Sequence, residues 1–175
     1  PTYGLIGWAY THKGTYYGDD NARYLLGALG ATAYLGTDKY DRKIIEGILG
    51  NFRTSGTNGF RGGSLLDVDI QRRGWQDYYH SPTVNLHPHF ESWLWACYLW
   101  LYAQNGEKEL LERVERGVSM MIAGYPDKWS WTNGIQQERA RMILPLAWLY
   151  RVSPTSEHKQ WLDYMADELL KNQVQ

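Results

Sequence analysis

Tyr16-Tyr17-Gly18-Asp19-Asp20-Asn21-Ala22-Arg23 opens a run, Tyr24-Leu25-Leu26-Gly27-Ala28-Leu29-Gly30-Ala31-Thr32-Ala33-Tyr34-Leu35, that is apolar almost all round. The glycine corner and the carboxyls after it predict a helix from about Asp20 to Leu35. Asp19 or Asp20 would accept hydrogen bonds from its free N–H groups. A helix with no polar face belongs in an interior. A buried helix whose first turn holds two carboxylates, an amide and a guanidinium serves stability poorly. It serves well as one wall of a polar pocket at the mouth of a helical barrel.

The chain beyond this stretch repeats the theme. Gly36-Thr37-Asp38 makes a short turn in which Thr37 or Asp38 caps a helix from Lys39 to about Phe52. That helix has Ile44, Ile45, Ile48, Leu49 and Phe52 on one face and charges on the other. Pro88 starts a second helix that is apolar on every side from Phe90 to Tyr102, and Asn105-Gly106 turns it into a charged partner, Glu107 to about Ile122. In the third cycle, Gln136 to Arg141 enters an apolar helix reaching Tyr150, with Pro145 inside it to bend it or open one hydrogen bond. Ser153-Pro154-Thr155 then precedes an amphipathic helix from Glu157 to about Leu170.

The sum is three helical hairpins, each with an apolar inner helix entered from a loop, a short turn and a charged outer helix. They recur at about 70 and then about 50 residues, and hairpins in such arrays bury their faces on one another. Helix pairs in a row form a solenoid or a closed toroid. The contrast between inner and outer helices predicts the toroid: an all-α fold of α/α-toroid type, with residues 1–175 as one domain.

Three segments stand outside the hairpins. Residues 1–18 form an irregular lead-in with Tyr3, Trp8 and His12. Residues 53–87 show no helical period, and Leu65 to Ile70 read as a short strand, with Asp67 and Asp69 on a solvated edge. Loops of that length inside a compact domain carry function or are disordered. Trp75, Tyr78 and Tyr79 beside Arg72 and Arg73 point to function. The loop from Gly124 to Gly134 holds Trp129-Ser130-Trp131.

The net charge of −1, with no basic stripe, speaks against a nucleic-acid partner held through phosphates. No apolar run approaches the roughly 20 residues of a membrane helix. Cys97 stands alone, so no internal disulfide forms. Nine Trp and 14 Tyr against three Phe favour rings with a polar handle, which suit wet, aromatic-lined clefts as well as cores. The first residue is Pro1 rather than Met, which reads as an excised fragment whose targeting information is lost.

Three entries to inner helices carry a resemblance: Tyr17-Gly18-Asp19-Asp20-Asn21, His87-Pro88-His89-Phe90-Glu91-Ser92-Trp93, and Asn133-Gly134-Ile135-Gln136-Gln137-Glu138-Arg139-Ala140-Arg141. With the hairpin plan, they make the chain resemble the six-hairpin glycosidases, whose catalytic domain is an (α/α)6 barrel. This chain offers three hairpins where that barrel has six, so the resemblance implies the C-terminal half of a larger barrel. The missing half is then another part of the same protein or a second copy. The resemblance further implies a carbohydrate substrate in a cleft at the N-termini of the inner helices, two carboxyl groups for acid and base, and a location outside the cytoplasm. It implies no cofactor. The separation of the two carboxyls decides inversion or retention.

Candidate residues follow. Asp20 is the first choice as acid or base, with Glu91 or Glu138 as its partner. The ordinary alternatives are a cap for Asp20, a first-turn dipole partner for Glu91 and an ion pair with a neighbouring Arg for Glu138. Tyr17, Asp19, Asn21 and Arg23 would line the first entry, His87 and His89 the second, and Arg139 with Arg141 the third, where an Arg suits a uronic acid. Trp75, Tyr78, Trp129 and Trp131 would stack on sugar faces or plug the barrel end. His87, His89 and Glu91 match no zinc spacing, so no metal is expected. Two other classes stay open: a non-catalytic helical-repeat module that binds a glycan or a protein, and an α/α-toroid lyase working through His, Tyr and Arg.

Overall fold

The computed structural model describes residues 4–173; Tyr3 of the lead-in lies outside them. Strand β1 (Thr15–Tyr17) runs into helix α1 (Gly18–Leu35), and α2 (Asp41–Arg53) returns along it. Strand β2 (Ser64–Leu66) pairs antiparallel with β1, placing Tyr16 opposite Leu65, and leads into the short helices α3 (Asp67–Arg73) and α4 (Trp75–Tyr79). Then come α5 (Pro88–Asn105), α6 (Lys108–Gly124), α7 (Ile135–Val152) and α8 (Ser156–Leu170).

The fold is mostly helical, and its long helices form three hairpins, α1–α2, α5–α6 and α7–α8. Helix α5 is the axis: it packs against both α1 and α7, with α2 and α6 also against it. Its sequence explains this position, since every residue from Leu94 to Leu99 is buried. Each such Leu or aromatic ring removed from water contributes about 1.5–3 kcal/mol. The Trp95 indole keeps its polar end satisfied by donating to the Gly59 carbonyl at 2.7 Å. Helices α2 and α6 bury Ile44, Ile48 and Phe52, and Leu110, Val114, Val118 and Met121, and turn most of their charges to water; Arg113 of α6 is the exception, buried and donating to the Ser55 and Tyr79 carbonyls at 3.0 Å. Gly36 and Gly106 end α1 and α5 in the left-handed conformation, which costs glycine no Cβ strain.

Several expectations need correction. Helix α1 starts at Gly18, and neither Asp19 nor Asp20 caps it: its N-cap is Tyr17, with no side-chain hydrogen bond. Nor is α1 buried all round. Tyr34 is 90% exposed and Leu35 67%, because α5 and α2 cover only two of its sides. Helix α2 begins at Asp41, and neither Thr37 nor Asp38 caps it. The expected strand ends at Leu66, and Asp67 to Ile70 are helical. Residues 53–87 are not free of helix, because α3 and α4 lie within them. Helix α7 continues through Pro145, which sits inside it as expected and has no N–H to give the ladder.

The long segment is held by buried polar bonds. Glu91 accepts from the Arg61 and Gly62 N–H groups at 2.9 and 2.8 Å and from the Asn85 amide at 2.7 Å. The Arg61 guanidinium donates to the Tyr16 carbonyl at 3.1 Å. No helix among the described residues is long and apolar enough to cross a membrane.

Candidate functional site

Three inner helices bring their first turns together. Gly18 lets α1 meet α5, since a Cβ there would lie 2.5 Å from the Phe90 carbonyl oxygen. The approach sets Asp19 Oδ2 3.1 Å from His89 Nε2, and His89 Nδ1 lies 3.9 Å from Glu138 Oε1 of α7. Arg23 spans both α1 carboxylates, donating to Asp19 at 2.7 Å and to Asp20 at 3.3 Å. Arg141 donates to the His89 carbonyl at 3.2 Å and lies over the Trp93 ring at 4.3 Å.

Burial sets the charges. His89 is pushed below the ordinary histidine value by desolvation and then by the Arg141 charge, against the pull of Asp19, so its ring is neutral near pH 7. His87 is lowered for the same first two reasons, and its Nε2 lies 3.1 Å from Thr132 Oγ1. Glu138 is fully buried and raised by desolvation, while the Thr132 N–H, donating at 3.2 Å, pulls it back. Asp20 is raised by desolvation first and by the neighbouring Asp19 charge second, with Arg23 opposing. Asp20 keeps part of its side chain in solvent, whereas Asp19 and Glu138 do not. The cluster therefore offers one accessible carboxyl, held above the ordinary Asp value, over a closed polar floor. On that floor His89 Nδ1, Glu138 Oε2 and Arg141 Nε have no hydrogen-bond partner.

The expected residues divide sharply. Asp19, Asp20, Arg23, His87, His89 and Glu138 converge, and Tyr17 flanks them with its ring 6.4 Å from that of Phe90. Glu91 does not join them. It stands two residues, about 200° of helix, from His89, and both its oxygens serve the 61–62 backbone and Asn85. Burial raises it to about 7, with those donors pulling it back. Asn21 is also elsewhere: it ties the lead-in to α1 through Ile6 N–H and C=O and accepts from Asn51. Arg139 turns away to Tyr125 at 2.7 Å and Glu168 at 3.3 Å.

The expected loop aromatics are mostly placed apart. Tyr78 packs with Tyr16, Leu65 and Ile70 on the opposite side of β1 from Tyr17. Trp75 packs against Tyr79, which rests on Phe52 of α2 and under the Arg113 guanidinium of α6. Trp129 belongs to the core and donates to the Met121 carbonyl at 2.8 Å. Trp131 is exposed, next to Thr132 at the third entry.

Trp93, Thr132 and Phe90 were not among the candidates. Helical geometry could have found Trp93, which follows His89 by four residues and shares its face, as Arg141 shares the face of Glu138 three residues before it. No group of three or more His, Cys, Asp or Glu among the described residues is placed to hold a metal ion. Comparison of the chain with protein-family models, with characterised proteins and with solved structures found no match.

Proposed function

We propose that this chain is the carbohydrate-cleaving part of a six-hairpin barrel, a glycoside hydrolase in which Asp20 is the general acid. The observation that carries the reading is the state of Asp20: a partly exposed carboxyl, raised by burial and by Asp19, at the edge of the Arg23–His89–Arg141 cluster. A glycosidic oxygen needs such a proton donor, and the pKa must sit above that of an ordinary Asp for the proton to be there. Arg23 holds Asp19 and Asp20 in place from one turn along α1. Glu138, sealed from solvent, holds the Thr132 loop and acts as a positioning residue, not as the second reacting carboxyl.

The second carboxyl then comes from hairpins that complete the ring. The uncovered side of α1 supports this. With α2 it bounds a groove of about 490 Å³ lined by Tyr24, Gly27, Ala28, Ala31, Leu35 and Tyr40. Apolar residues of this kind on an inner helix suit a further inner helix, as α1 and α7 suit α5. The half-barrel expected from the sequence is thus kept as part of the proposal.

The test is product formation from a panel of neutral and uronic-acid oligosaccharides by this chain joined to the hairpins that complete its ring. Cleavage that disappears in Asp20→Asn is the expected result. Saturable binding without product would instead favour a glycan-binding module.

A further inference from the structure

A band of rings leaves the carboxylate cluster and runs out to the surface. The His89 and Phe90 rings are 4.9 Å apart and the His87 and Phe90 rings 4.7 Å apart. Phe90 faces Tyr17 at 6.4 Å with 23° between their planes, and Trp8 stands edge-on to Tyr17 at 5.8 Å and 76°. Trp8 is 51% exposed and leans on His12 at 5.0 Å. Exposure therefore rises along the band, from buried His89 through half-buried Phe90 and Tyr17 to Trp8.

None of the three apolar rings belongs to the core. Trp8, Tyr17 and Phe90 are absent from both clusters of packed hydrophobic side chains, whereas Trp93 and Tyr79 pack against one and Tyr78 against the other. The band is nonetheless fixed from several directions. Trp8 N–H donates to the Thr15 carbonyl at 2.8 Å, and the Ala9–His12 bridge closes the turn. Phe90 lies against Gly63, where a Cβ would come within 3.4 Å of its ring. Tyr17 ends β1 immediately before α1. Ordered, half-exposed rings that contribute little to the interior, set at angles to one another beside a cluster of acid and base groups, suit the walls of a binding cleft.

We propose that Trp8, Tyr17 and Phe90 wall a second saccharide subsite, which extends the Asp19–His89 site outward and takes the apolar face of a pyranose in ligands longer than one sugar. The proposal rests on the carbohydrate reading above and adds to it the need for an oligosaccharide. Pyranose C–H groups stack on aromatic faces as bases do, a contact tolerant of sequence and linkage. His12 stands beside Trp8 with its Nδ1 2.9 Å from Thr11 Oγ1, so hydrogen-bonding groups edge the outer ring.

The experiment is calorimetric titration of the protein and its Trp8→Ala and Trp8→Phe variants with cellohexaose, xylohexaose and hexagalacturonate, each against its monosaccharide. For the sugar that binds, Trp8→Ala should weaken the hexasaccharide by about 10- to 100-fold and leave the monosaccharide unchanged. Trp8→Phe, which keeps a ring face, should restore most of the affinity. Trp8 lies outside the core, so all three proteins should melt alike. Undiminished hexasaccharide binding by Trp8→Ala, or equal losses for both lengths, would overturn the subsite and leave the carbohydrate reading standing. Failure of the unaltered protein to bind any of these sugars would overturn both.

Discussion

Asp19 Oδ2 and His89 Nε2 lie 3.1 Å apart, joining the first turns of two helices 70 residues apart in sequence. The ring is neutral, so the pair is a polar contact and not a full ion pair, and the charge of Asp19 is met mainly by Arg23 at 2.7 Å. Asp19 therefore still presses on Asp20, second only to burial in raising it. In Asp19→Asn that repulsion is gone while the pull of Arg23 remains, so the Asp20 value falls. A general acid works in its protonated form, so the alkaline limb of the pH–rate profile should move to lower pH. A profile recorded with saturating oligosaccharide checks this; a shift to higher pH would reverse the assigned role.

Gly18 makes the contact between those helices. Gly18→Ala places a methyl 2.5 Å from the Phe90 carbonyl oxygen, a backbone atom that moves only if α1 and α5 separate. Overpacking of this sort costs about 1–3 kcal/mol, readable as a lower midpoint in denaturant unfolding. Catalysis and sugar binding should fall further than stability alone accounts for, because Asp19 and His89 part. Gly30→Ala, on the same helix with nothing within 4 Å of the added Cβ, should leave both unchanged.

Glu91 gives a stability signature distinct from catalysis. Its folded value near 7 lies above the unfolded 4.5, so the folded chain holds that proton more tightly. The stability this contributes is complete below about pH 4.5 and is lost as pH rises through 7, a change of about 3 kcal/mol. Glu91→Gln keeps an acceptor for the 61–62 backbone but has no proton to lose. Its deficit relative to the unaltered protein should therefore be largest near pH 5 and shrink by about that amount by pH 8. Urea titrations across the range measure the difference, and a deficit independent of pH would contradict the assignment.

Trp75 and Tyr78 provide the negative control for the site. Both lie apart from Asp19 and His89, one against Tyr79 and the other with Tyr16, Leu65 and Ile70. Trp75→Ala and Tyr78→Ala should leave saccharide affinity within about twofold of the original, and Trp75, 38% exposed, should also cost little stability. A loss of affinity confined to these variants would move the binding surface to the 67–79 segment.

The three hairpins were legible because their signals are long. The charged outer helices α2 and α6 show their period plainly, and the apolar body of the eighteen-residue α5 announces a central position. Short elements were not: Asp67-Val68-Asp69-Ile70 alternates as a strand does, yet it occupies the first turn of a seven-residue helix. The polar helix entries do come together at one end of their helices. Which residue of each entry faces the cluster depends on 100° per residue, and that separates His89 from Glu91 and Arg141 from Arg139. Asn21 and Trp129 are held outside the cluster for another reason: their partners, Ile6 with Asn51 and the Met121 carbonyl, come from other segments that no local pattern reveals.

Cleavage in ¹⁸O-labelled water with mass analysis of the products tests the central claim most directly, using the oligosaccharide that the panel identifies and the Asp20→Asn variant in parallel. Asp20 as general acid of a hydrolase predicts one labelled oxygen in the products and a rate lower by at least about 10²-fold in Asp20→Asn. An unlabelled, unsaturated product absorbing in the ultraviolet would make the reaction an elimination. Full activity in Asp20→Asn would remove the acid from the mechanism altogether.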